Sequence, residues 1–198
     1  MNFSDFVPLV QATLRDPRGA ARTIIALDLP REVLWTTLAL VAAVNTIILQ
    51  LLIAASPAEA QAQFPSYFNA PLAVYVLLAG VMVIYIHSVY WAGLALSGKG
   101  RLFDVLALIV WLQVLRTAIQ IIVLVLTFIL PALAGLVSLV AFAWGLWVLL
   151  NFMVEAMALR SIGHAGLALV LAIIGLVLGL GILLAIIGLA AQGTVSNV

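Results

Sequence analysis

Between Val105 and Leu159 the chain runs for about 55 residues with a single basic side chain, Arg116, and a single acidic one, Glu155. One crossing of a hydrocarbon core of about 30 Å needs only about 20 apolar residues, so this run is too long for one helix and must fold back on itself within the bilayer. The rest of the chain agrees. Hydrophobic residues make up 67% and charged residues 8%, with a mean hydropathy of +1.34, whereas soluble domains carry about a quarter charged residues. In lipid each backbone polar group must be satisfied inside its own segment, which a helix achieves. The fold class read from the sequence is therefore an all-α membrane protein, a bundle of membrane-spanning helices.

Five spans are expected, at about 32–55, 71–97, 105–130, 132–158 and 162–191, with the long run divided at Pro131. They form one domain, 32–191, preceded by a cytosolic or interfacial leader, 1–31, and followed by a short extracytoplasmic tail, 192–198. Charge supports this count. Arg15, Arg18, Arg22 and Arg31 precede the first span, Lys99 and Arg101 lie between the second and third, and Arg160 lies between the fourth and fifth. With five spans these segments share one side, and the segments on the other side contain no Lys or Arg. The positive-inside rule then places the N-terminus in the cytosol, the C-terminus outside, and the protein in the inner (plasma) membrane. Asp5, Asp16 and Asp28 among the leader arginines, with no early apolar core, speak against a secretory signal.

The leader reads as amphipathic. Phe3, Phe6, Val10 and Leu14 recur at helical spacing, and Asp16-Pro17 is an N-cap followed by proline at the first helical position. Such helices lie in the interface plane with arginines toward headgroups. Ser56 to Ala70, with Pro57, Pro65, Phe64, Tyr67 and Phe68, reads as a loop on the outer interface; Trp111, Trp144 and Trp147 read as packing residues.

A charge deep in a span costs roughly 2.5 to 3.5 kcal/mol on insertion scales, so Arg116 marks a candidate site. It lies twelve residues past Asp104, about 18 Å inward at 1.5 Å per residue. Gln113, Arg116 and Gln120 share one helix face. Counting from the cytosolic ends puts Asn45 and His87 at a similar depth, which predicts a polar cluster of Asn45, His87, Gln113 and Arg116, extended outward by Gln50 and Gln120. Glu155 lies about 13 Å nearer the cytosol than the level of Arg116. With Asn151 it is expected to form an inner-interface polar pair facing Lys99, Arg101 or Arg160. Arg116 then has three readings: a hydrogen-bonded lock between helices, favoured here; a site for an anionic lipid or partner; and part of a transport path. Gly175 and Gly179 have the G-x-x-x-G spacing that lets helices approach closely, within the chain or against another copy or protein.

No catalytic residues are expected. The chain has no Cys, no H-E-x-x-H, no G-x-S-x-G, no P-loop and no intramembrane carboxylate pair. No cofactor or metal is expected either, since His87 has only the loop residue His164 for company. The expected partners are membrane lipids and a membrane protein or second copy; no nucleic acid is expected.

Asp16-Pro17-Arg18 with the Ala-rich segment, Leu29-Pro30, the stretch Gly98-Lys99-Gly100-Arg101-Leu102-Phe103-Asp104 running into Ala107, Trp111-Leu112 and Gln113, and Asn151-Phe152 with Glu155 together resemble the bacterial branch of the Yip domain family, named for its Ypt/Rab-interacting members. The resemblance covers nearly the whole chain and implies five spans with a cytosolic N-terminus. Eukaryotic members act in vesicle traffic through small GTPases and membrane-shaping partners. Their long leader with an Asp-Leu-Tyr-Gly-Pro motif is missing here and only Asp28-Leu29-Pro30 resembles it, which makes small-GTPase binding doubtful. The function read from the sequence is a non-enzymatic accessory or scaffold that organises membrane partners. The alternative is a channel or transporter for a small solute using the polar face around Arg116.

Overall fold

The computed structural model describes residues 3–61 and 63–195. Two short helices form the leader, α1 (Phe3–Arg15) and α2 (Pro17–Ala26). The first span, α3 (Arg31–Ala54), leads through the single-turn α4 (Ala58–Gln61) and a 3-10 turn at Ser66–Asn69 into α5 (Pro71–Ala95). Then follow α6 (Leu102–Ile129), α7 (Pro131–Met157) and α8 (Ile162–Val195). Among the described residues five helices are long and apolar enough to cross a membrane, which makes this an all-α, multi-pass membrane protein. The span ends lie within a few residues of the expected ones, except that α8 runs on to Val195 through most of the expected tail; 196–198 lie outside the described residues.

Proline sets the boundaries. Pro71 and Pro131 each open a helix at the position where a missing N–H costs nothing. The residue before Pro131 is pushed out of the helical region, and Leu130 accordingly sits at φ −145°, ψ 79°. One extended residue therefore reverses the chain between α6 and α7 without any polar turn. At its other end α7 closes on Ala158, which is left-handed at φ 50°, and Leu159 N–H donates back to Val154 O at 3.0 Å.

The leader is folded onto the bundle. Asp16 caps α2 through Gly19 N–H at 3.0 Å, and the small face Ala20, Ala21 with Ile24 is buried where α2 packs on α7. Arg18 and Arg22 turn to α7 and not outward: Arg18 Nε donates to Asn151 Oδ1 at 2.9 Å and Arg22 pairs with Glu155 at 3.0 Å. In α1, buried Thr13 accepts a hydrogen bond from Trp111 Nε1 at 3.0 Å, and Phe6 meets the Trp111 ring edge-on at 5.3 Å.

Most of the core lies at the leader end. Leu34 and Leu38 of α3, Ile86 and Val89 of α5, Val105 to Trp111 of α6, Phe152 to Val154 and Met157 of α7, and Ala165, Ala168 and Ala172 of α8 are all buried. Toward the far end the walls are largely uncovered, with Ile122, Val125 and Phe128 of α6 and Leu136, Leu139 and Val140 of α7 exposed. The buried core is thus concentrated at the leader end, with Val74, Ala134 and Ile53 among the few buried residues near the far end.

Candidate functional site

A chamber of about 570 Å³ lies between α6 and α7, with α5 and α8 supplying the remaining wall. Gln113, Arg116 and Gln120 enter it from one face of α6, Tyr85 from α5, and Ser138 and Trp144 from α7. The other walls are mostly apolar, among them Met82, Ile109, Leu149 and Leu176. Its leader end is stopped by the packed core, in which Leu106, Val148, Phe152 and Met157 are almost wholly buried.

Arg116 is left uncovered by the rest of the chain, and among the described residues no hydrogen bond or ion pair holds its guanidinium. This differs from the helix-to-helix lock read from the sequence. Two buried polar atoms in the same wall, Gln120 Oε1 and Trp144 Nε1, also lack a partner. Buried polar groups are nearly always satisfied in folded proteins, and each one that is not costs about 1–3 kcal/mol. The chamber wall thus gathers one uncovered cation, Arg116, and two buried polar atoms without a hydrogen-bond partner.

The other residues expected in the cluster lie apart from it. Asn45 donates to Thr117 Oγ1 at 2.9 Å and to Val41 O at 2.8 Å. Thr117 follows Arg116 by about 100° around the helix, so the two address different neighbours. Thus α3 meets α6 through Asn45 and Thr117, while Arg116 lines the chamber with Tyr85 of α5. Gln50 turns to the loop carbonyl of Phe68 at 2.8 Å and not to Gln120. His87 Nδ1–H donates to Val83 O at 2.8 Å, and the side chain lines a groove between α5 and α8 with Ser88, Trp91 and Gly175. Depth alone does not separate His87 from Tyr85; two residues on a helix face nearly opposite ways, and Tyr85 is the one facing the chamber. Tyr85 and Ser138 were not singled out from the sequence, although both are polar-tipped and lie well inside a span.

Asn151 and Glu155 are taken by the leader's Arg18 and Arg22, not by Lys99, Arg101 or Arg160. Arg101 instead pairs with Asp104 at 2.8 Å and Asp28 at 3.6 Å, and Arg31 lies 4.2 Å over the Phe103 ring, tying the start of α3 to the start of α6. Gly175 and Gly179 face α5 within the chain: a Cβ on Gly175 would lie 3.1 Å from Ser88 Oγ, and one on Gly179 2.6 Å from Ile84 Cγ2. Among the described residues no three His, Asp or Glu side chains gather as a metal would require.

With this fold and site in view, the sequence profile of the Yip1 domain matches residues 12–191, from the end of α1 to the last span. The chain belongs to the Yip1 domain family. No curated protein and no solved structure matches it. The residues matched to the Yip1 domain include α2, whose arginines clamp α7, together with the five candidate spans, while most of α1 precedes them.

Proposed function

We propose that this Yip1 domain protein is a non-enzymatic accessory protein of the inner (plasma) membrane, a scaffold that organises membrane partners through its helix bundle, with its N-terminus in the cytosol and its C-terminus outside. The observation that carries this reading is the shape of the Arg116 chamber. It is blocked at the leader end by the densest part of the core and flanked at the other by uncovered apolar walls. A cavity of that form receives something from within the bilayer. Beyond Gln120, α6 offers only Thr127 as a polar side chain, and α7 offers only Ser138 before Trp144. A solute crossing there has few groups to replace its hydration shell. The polar face around Arg116 keeps transport of a small solute as the alternative. The lack of catalytic motifs supports the non-enzymatic reading, and the grouping of Lys and Arg supports the orientation.

A photo-crosslinking residue at Phe142, on the chamber wall and 71% exposed, tests this in native membranes. The expected result is a discrete adduct with a membrane component that disappears in Arg116→Gln. Small-solute flux through proteoliposomes that is lost in Arg116→Gln, with no adduct at Phe142, would overturn it in favour of transport.

A further inference from the structure

We propose that the chamber is the docking site for a membrane-spanning helix of a different protein, one that carries an Asp or Glu near the middle of its span. This rests on the accessory reading above and names the chemistry of the partner. Arg116 lies about 18 Å inward from Asp104 and about 20 Å from Ile129, so its charge sits near the midplane. A cation at that depth is expensive to leave alone, and such residues pair with one another or with backbone carbonyls. Here the chain provides neither a carboxylate nor a hydrogen bond to it among the described residues.

The depth of the missing anion decides between donors. Acidic lipid headgroups lie at the membrane surfaces, about 15 Å from the midplane of a 30 Å hydrocarbon core. A second copy of this chain carries Glu155 as the carboxylate furthest inside a span, about 13 Å from the level of Arg116 and already paired with Arg22 at 3.0 Å. An Asp or Glu in the middle of another protein's span stands at the right level. The chamber's size fits the same occupant. A helix is about 10–12 Å across with its side chains, too wide to enter about 570 Å³ bodily. The side chains of one helix face can enter, the carboxylate reaching Arg116 and apolar neighbours lying along Ile119, Val123 and Leu149. Exposed Phe142 and Leu146 then flank the incoming helix. Gln113, Gln120 and the Trp144 N–H supply further hydrogen-bonding groups in the same wall.

The test uses the full chain in phosphatidylcholine nanodiscs with a fluorescent Leu-rich transmembrane peptide of about 20 residues bearing one central Asp. Energy transfer is expected to show association roughly tenfold tighter than for the all-Leu peptide, from the 1–2 kcal/mol that polar interhelical contacts give in model peptides. Arg116→Gln should abolish the difference and Arg116→Lys should keep part of it. Moving the Asp seven residues toward the peptide's end should remove it. Gly145→Leu provides a variant that leaves Arg116 in place: a Cβ at Gly145 meets nothing within 4 Å, and Gly145 lines the chamber. It should fill the chamber and block the Asp peptide while unfolding like wild type. Equal binding of the Asp and Leu peptides, or binding unchanged in both Arg116→Gln and Gly145→Leu, would overturn the proposal. So would displacement of the peptide by an anionic phospholipid in the nanodisc; that result leaves the accessory reading intact with a lipid as occupant.

Discussion

At Gly100 the chain has no room for even a methyl group, because a Cβ there would fall 1.8 Å from the carbonyl oxygen of Ala156. Gly98 is nearly as close to Gly93 O, at 2.6 Å, and Lys99 N–H donates to Met157 O at 2.9 Å. The Gly98-Lys99-Gly100 turn thus lies backbone to backbone on the C-terminus of α7. Gly100→Ala is expected to destabilise the protein by about 1–3 kcal/mol, the usual cost of forcing a group into filled space. Gly145→Ala, with open space around it, should be neutral or stabilising by up to about 1 kcal/mol through helix propensity. Tryptophan-monitored unfolding in mild detergent compares the two, and equal effects would contradict the close contact. In the sequence this turn was legible only as a basic loop of the resembling motif; the reason for its glycines lies in a segment more than fifty residues away. Polar residues tell a similar story. The stripe Gln113, Arg116, Gln120 could be read because it lies on one helix, whereas the neighbours of Arg116 depend on how other helices are rotated. Depth counting proposed His87 and Asn45; rotation supplied Tyr85, Ser138 and Trp144.

Between elements, the contact of α5 with α8 is made through small residues. Gly80 faces Leu183, Gly175 faces Ser88 and Gly179 faces Ile84. Two apolar helices in lipid gain little from hydrophobic burial, so close packing at small residues must bring them together. Gly179→Leu is expected to push α8 from α5 and cost about 1–3 kcal/mol. Gly181→Leu, where a Cβ meets nothing within 4 Å, should leave stability unchanged, and thermal unfolding of the pair reads the contrast. The leader illustrates the opposite limit of legibility. Its two amphipathic helices could be read from spacing and from the Asp16-Pro17 cap. Docking on α7 could not, since Arg18 and Arg22 find Asn151 and Glu155 133 residues along the chain.

Across the whole molecule the packing is graded, dense beside the leader and open beyond the chamber. Spin labels at the exposed positions Trp91 and Leu167, near the leader end of α5 and α8, are therefore expected to give a narrow distance distribution. Labels at Leu136 and Ile182, on the uncovered far parts of α7 and α8, should give a broader one that narrows when the Asp-bearing peptide binds. Equal widths at both ends would argue against graded packing. The five apolar helices, the prolines that open two of them and the family likeness were already written in the chain. Apolar length, proline and clustered charge act locally, and lipid forces each segment to satisfy its own backbone. Which faces meet, why no hydrogen bond or ion pair among the described residues holds Arg116, and which side chains line its chamber were decided by tertiary structure. In a uniformly apolar helix almost any face can pack, so the rotation of each span is set by a few glycines, one Asn–Thr hydrogen bond and the leader's two arginines acting across the bundle.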